Sequence, residues 1–174
     1  FVVVLVVFAI YKIRIFSPTA EQTGPTPQAE NGDRTPPVPS IAFTPIPPKS
    51  PAKFTFPRIT AHRDVATTEL PLSQDALFRA DARDMNVAAL TFTDGTTGYF
   101  ASSLVPNGDL LDVYTFYRST TQKGTAGWKW IASFRGADLA MVEAEWQETY
   151  EARIVIVPTP QNALRVETLM RKTP

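Results

Sequence analysis

Three patterns of hydrophobic and polar positions follow one another along this chain. Residues 1–10 (FVVVLVVFAI) are apolar without a break, and Tyr11, Lys12, Ile13, Arg14, Ile15 and Phe16 close the run. Between 17 and 57 neither a two-residue nor a 3.6-residue apolar period is sustained, so no strand or helix face can be drawn. After Arg58 the alternation returns. Val87–Thr93 (VAALTFT) and Tyr99–Leu104 (YFASSL) flank Asp94-Gly95, which predicts a β-hairpin with a short loop. Leu110, Val113, Tyr114, Tyr117 and Thr121 recur at three to four residues behind the candidate caps Asn107 and Asp109. That spacing predicts one amphipathic helix from about Asp109 to Lys123, with Phe116 at the edge of its apolar stripe. Gly124 and Gly127 are suited to end it, because glycine enters the left-handed region without penalty. Trp128–Phe134 then alternates as a strand with Trp128, Trp130 and Ala132 on one side. Leu139–Trp146 and Tyr150–Val157 form a second hairpin around residues 147–149. In Ala163–Arg171, Leu164, Val166 and Thr168 oppose Arg165, Glu167 and Leu169. The expected order is β-β-α-β-β-β-β, an α+β fold with one main helix packed across an antiparallel sheet and its stripe meeting Trp128 or Trp130. Thr67–Met85 reads equally as a short helix capped by Ser73 or as an extended lead-in.

Composition explains the silent middle of the chain. Eleven of the 16 prolines lie between Pro18 and Pro57. Each removes a backbone donor and biases its predecessor toward extended geometry. Residues 17–57 are therefore expected to be a disordered, proline-rich linker. At about 3.1 Å per residue, such a linker reaches roughly 130 Å when fully extended. Within it, Pro36–Pro48 carries Val38, Ile41, Phe43 and Ile46, which reads as spacer with some apolar residues or as a ligand for a proline-recognising groove. The apolar run before it is too short to span a bilayer, since ten helical residues rise about 15 Å against a hydrocarbon core of about 30 Å. The chain begins at Phe1, so an upstream piece is expected; about ten more apolar residues would complete a spanning helix, with Tyr11, Lys12 and Arg14 at its interfacial end. A buried strand and the apolar region of a signal peptide are the alternatives. The long linker disfavours the first, and the lack of a small-residue cleavage site after Ile10 disfavours the second. The expected layout is the C-terminal part of a transmembrane anchor at 1–16, linker at 17–57, and a small α+β domain at 58–174.

Charge and residue inventory narrow the partners. The 17 basic and 17 acidic residues cancel, and from Arg58 onward there are 12 basic against 14 acidic. That balance does not suit nucleic acid. The chain has no cysteine, so disulfide and thiolate chemistry are excluded. Lys12 and Arg14 taken alone place the domain in the cytoplasm. The unknown upstream flank and the threonine-containing, proline-rich tether favour the outer face, so the expected location is a single-pass membrane protein with an extracytoplasmic domain.

Tyr114-Thr115-Phe116-Tyr117-Arg118 on the helix and Gly127-Trp128 at the next strand carry a resemblance. Over about residues 85–172 the chain resembles a small α+β domain of membrane-anchored or secreted bacterial proteins of unknown function, in which an FY pair on the helix precedes a GW pair opening a strand. The resemblance implies an extracytoplasmic α+β fold and transfers no activity.

No residue pattern points firmly to catalysis. The single histidine, His62, lacks companions for a metal site and reads as a surface-loop residue. Ser102 and Ser103 have only His62 as a possible activating imidazole. Asp81, Arg83 and Asp84 read as a turn with exposed ion pairs. The glycines are scattered through turns and make no phosphate-cradling loop, and no cofactor is expected. Glu143 and Glu145 share one face of a strand and are the candidate acid–base pair of a membrane-tethered hydrolase; the competing reading is a solvated strand face opposite Val142, Ala144 and Trp146. Tyr99, Phe100, Tyr114, Phe116, Tyr117, Trp128, Trp130 and Trp146 are expected to be mostly core, with a minority exposed as a binding patch. The leading expectation is a non-enzymatic domain that binds a protein, an envelope polymer or a small ligand. Glutamine at 143 and 145 is then expected to leave fold and binding largely intact, whereas in a hydrolase it abolishes turnover. A pilin-like subunit is a third reading, disfavoured because Pro18, Pro25 and Pro27 stop the apolar helix.

Overall fold

The chain divides into two units, 1–36 and 37–174. The computed structural model describes Ile41 and residues 43–173, all in the second unit. The expected transmembrane segment and most of the linker lie outside the described residues. Among the described residues, no helix is long and apolar enough to cross a membrane.

Seven strands, β1 (Ile59–Asp64), β2 (Arg83–Phe92), β3 (Thr97–Pro106), β4 (Trp128–Arg135), β5 (Ala140–Trp146), β6 (Tyr150–Pro158) and β7 (Ala163–Lys172), form one antiparallel sheet in the order β1-β2-β3-β7-β6-β5-β4. Hairpin chemistry accounts for most of the neighbours. The step that needs a crossover, β3 to the far edge β4, is made by the main helix α2 (Leu110–Gln122). The short helix α1 (Gln74–Leu77) lies in the connection from β1 to β2.

The helix begins where the sequence places it, because the Asp109 carboxylate accepts from the backbone N–H groups of Leu111 and Asp112. Its stripe packs on β4, β5 and β6, with Val113, Tyr114 and Tyr117 buried and Phe116 half-buried. The FY and GW pairs have a common physical role. Tyr117 donates its hydroxyl to the Leu77 carbonyl at 3.1 Å, and the Trp128 indole donates to the Ala76 carbonyl at 3.3 Å. These are carbonyls at the end of the one-turn α1, which leaves its last C=O groups without helical partners. Gly127 sits at φ +86°, and a Cβ there would lie 3.0 Å from Gln147 Cγ.

Three local features depart from the sequence reading. The strand β1 pairs with β2, so the sheet gains an edge that the alternation did not reveal and His62 lies on a strand opposite Leu90. Thr67–Met85 combines both readings, a helical turn at Gln74–Leu77 and extended chain from Arg83; Ser73 precedes the turn without a side-chain cap. On β4, Trp128 and Trp130 pair with Trp146 and Ala144, but a bulge follows, and Ala132 pairs with Glu143. Ala132 therefore faces the side opposite the two tryptophans, because one extra residue reverses the alternation.

The sheet is covered on both faces. One face carries α2 and α1. Across the other runs 43–57, a strap without strand pairing, whose Phe43 and Phe56, together with Ile41 before it, join an apolar cluster with Ile59, Ala88, Leu90, Phe92, Phe100 and Leu169. The sequence placed the start of the domain at Arg58; the structure lays the last part of the expected linker on the sheet.

Candidate functional site

On the strap face, the strand alternation delivers a charged side chain from each of β5, β6 and β7. Glu143 is completely buried. Its Oε1 accepts from Arg153 Nε at 2.8 Å and lies 2.7 Å from Nη2, and its Oε2 accepts from the backbone N–H groups of Lys53 and Phe54. Arg153 also donates to the Phe54 carbonyl, and its guanidinium lies 5.0 Å from the centre of the Phe56 ring. Glu167 repeats the arrangement: Oε1 lies 2.8 Å from Arg165 Nε, and Oε2 accepts from the Thr44 N–H at 2.8 Å. Arg171 pairs with Asp94 at 2.7 Å and donates to the Thr55 carbonyl. Asp94 is held below the usual carboxylate range, first by the Thr96 hydroxyl and further by Arg171.

The candidate acid–base pair is thereby placed. Glu143 and Glu145 do share a face, as the alternation requires. Neither resembles a free carboxylate, and Glu143 is not on a solvated face: the strap covers it. Glu145 pairs with Lys129 at 2.8 Å at the edge of the sheet, which raises the Lys129 pKa. Ser102 lies on the strap face opposite Glu167, whereas Ser103 points to the helix side, buried, its Oγ without a hydrogen-bond partner among the described residues. His62 is on the strap side with Leu90, so the sheet separates it from Ser103. Its Nδ1 is buried and without a hydrogen-bond partner among the described residues. Among the described residues no three His, Asp or Glu side chains are grouped to hold a metal ion. Asp81 pairs with Arg79 at 2.9 Å; Arg83 opens β2, and Asp84 adopts φ +51° at the bulge that follows.

On the helix side, α2 spans about 20 Å and lies over β4–β6, leaving the ends of β1 and β2 uncovered. There a groove of ≈ 410 Å³ is floored by the small side chains Ala61 and Ala89 and flanked by Arg63, Thr91, Thr97, Tyr99 and Tyr150. Tyr99 and Tyr150 stand 6.3 Å apart between ring centres, and Trp146 backs Tyr150 at 5.8 Å. Burial, then the neighbouring Tyr99, raises the Tyr150 pKa, so the Tyr150 hydroxyl keeps its proton at neutral pH. Such a wall offers aromatic faces and hydrogen-bond donors, with His62 on the neighbouring strand also lining the groove. A second depression of ≈ 770 Å³ beside α2 is lined by Arg79, Asp112, Phe116 and Lys123, among others. Hydrogen bonds that Arg79 donates first to Asp81 and then to Asp112 raise its pKa and occupy its guanidinium, which lies 5.8 Å from the Phe116 ring centre. Of the eight aromatics singled out from the sequence, Tyr114, Tyr117, Trp128 and Trp146 are buried and Tyr99, Phe100 and Phe116 half-buried; Trp130 is 39% exposed at the edge strand β4.

No family model, no curated protein and no solved structure matches the chain.

Proposed function

We propose that the chain is a non-catalytic binding domain, held at a membrane by its N-terminal apolar segment with the domain on the outer face, and that the Tyr99–Tyr150 groove takes its ligand. The observation that carries this reading is the pairing of half-buried tyrosines with an alanine floor on the half of the sheet that α2 leaves open. Small floor residues let a flat ligand approach the backbone while the rings supply contact area at little entropic cost. The alternative, a membrane-tethered hydrolase using Glu143 and Glu145, is weakened because both Glu143 oxygens already hold partners and no water can reach them. The ligand class favoured is an envelope polymer, with a protein or a small molecule as the other candidates.

Two measurements test this reading. Protease added outside intact cells should remove the domain; survival until the membrane is permeabilised would place it in the cytoplasm. Purified chain should co-sediment with cell-wall material, and Ala61→Arg, which fills the groove from an exposed position on β1, should remove that binding without moving the melting temperature. Binding untouched by the plug would rule out the groove.

A further inference from the structure

We infer that the strap face is a peptide-recognition surface, filled here by the chain's own residues 43–57, and that it accepts an extended partner peptide carrying two aromatic side chains two residues apart once the strap is displaced. Two carboxylates on the face are set the same way, each with one oxygen on an arginine and the other on a strap N–H: Glu143 toward Lys53 and Phe54, Glu167 toward Thr44. Arg153 and Arg171 donate to the strap carbonyls of Phe54 and Thr55. Fixed charges thus read backbone groups, which every extended peptide offers, while Phe54 and Phe56 supply what is particular. The two rings are 6.5 Å apart, edge to face, with Arg153 under Phe56.

The same contacts make the strap removable. Its described residues enter no β-ladder; its one internal backbone bond is Ser50 N–H to the Pro47 carbonyl, and its prolines have no N–H to give. Phe43, Phe54 and Phe56 are half-buried, not enclosed. Lifting 43–57 therefore breaks side-chain contacts and leaves the seven-stranded ladder whole, which is the character of a locally opening unit. This face is opposite the tyrosine groove, and the inference stands without it.

The test uses the full chain and a labelled synthetic peptide of residues 43–57. Phe54→Ala with Phe56→Ala weakens the strap, and that variant should bind the peptide at least tenfold more tightly than the unsubstituted chain does. Adding Glu167→Gln should lose most of the gain, and a peptide with serine in place of both phenylalanines should not bind. Equal binding by the two proteins, or none by either, overturns the inference. Hydrogen exchange on the unsubstituted chain decides independently of any variant's folding: the Thr44, Lys53 and Phe54 amides should exchange at least a hundredfold faster than those of Ile154 and Val155. Equal protection would mean that the strap opens only with the whole domain, and the surface could not be offered to a partner.

Discussion

Removing the Glu143 side chain should be among the most damaging single changes available in this domain, and the reason lies in what it leaves behind. The carboxylate is fully buried, and the Arg153 side chain it neutralises is only 11% exposed. Glu143→Ala strands that guanidinium and two strap N–H groups at once. Breaking a buried pair from one side typically costs about 3–5 kcal/mol, out of roughly 5–15 kcal/mol for a whole domain. With a urea slope of about 1–3 kcal/mol per M, the unfolding midpoint should fall by roughly 2 M. Glu143→Gln should fall in between, since its amide keeps the shape and one acceptor but offers Arg153 no charge. Glu145→Gln should barely move the midpoint, because Lys129 is in solvent. Urea unfolding followed by tryptophan fluorescence measures all three. If Glu143→Ala and Glu145→Ala shift the midpoint equally, the buried pair is not what holds the strap face. The sequence alone leads to the expectation that glutamine at both positions leaves the fold largely intact; the burial of Glu143 leads to a different expectation at that position only.

Other positions give sharp expectations. Burial holds the Tyr117 hydroxyl protonated well above its ordinary value, so its contribution is fully present below about pH 10 and is lost as pH rises from there through the folded-state value; Tyr117→Phe should flatten the alkaline loss of stability, read from denaturation midpoints between pH 9 and 11. Ser103→Ala removes a buried hydroxyl that has no partner among the described residues, and should raise stability by about 1 kcal/mol in the same urea assay. Gly98→Ala would put a Cβ 1.9 Å from the Met170 carbonyl oxygen, so the β3–β7 pairing cannot persist; loss of cooperative thermal unfolding is expected, and a normal melting curve would contradict the register.

The strands after residue 87 and the helix were legible because each has one face that must be dry, and the period of that face is set by geometry. The β1 edge was not, since after Ile59 it consists of Thr60, Ala61, His62, Arg63 and Asp64, and only the pairing with β2 supplies order. The bulge on β4 was equally hidden, because Trp-x-Trp-x-Ala alternates whether or not an extra residue intervenes. The tyrosine groove could not be located from the sequence, since Ala61, Ala89, Tyr99 and Tyr150 come from four strands and only the strand order brings them together.

The strap, by contrast, left a trace in the sequence of the strands it covers. On β5, β6 and β7 the positions that alternation assigns to solvent are Met141, Val155 and Leu169 beside Glu143, Arg153 and Glu167, and all six are buried. A strand that is apolar on both faces needs two covers. Among the described residues there is one long amphipathic helix, and the second cover comes from apolar residues outside the sheet, Ile41, Phe43 and Phe56 among them. The two covers differ in kind. The helix side is closed largely by apolar contact that is lost only when the sheet itself opens, whereas the strap side is closed by a few directed bonds from fixed charges to a backbone that any extended segment possesses. A face built in the second way can exchange what it holds without unfolding, and the segment it holds here, 43–57, directly precedes β1.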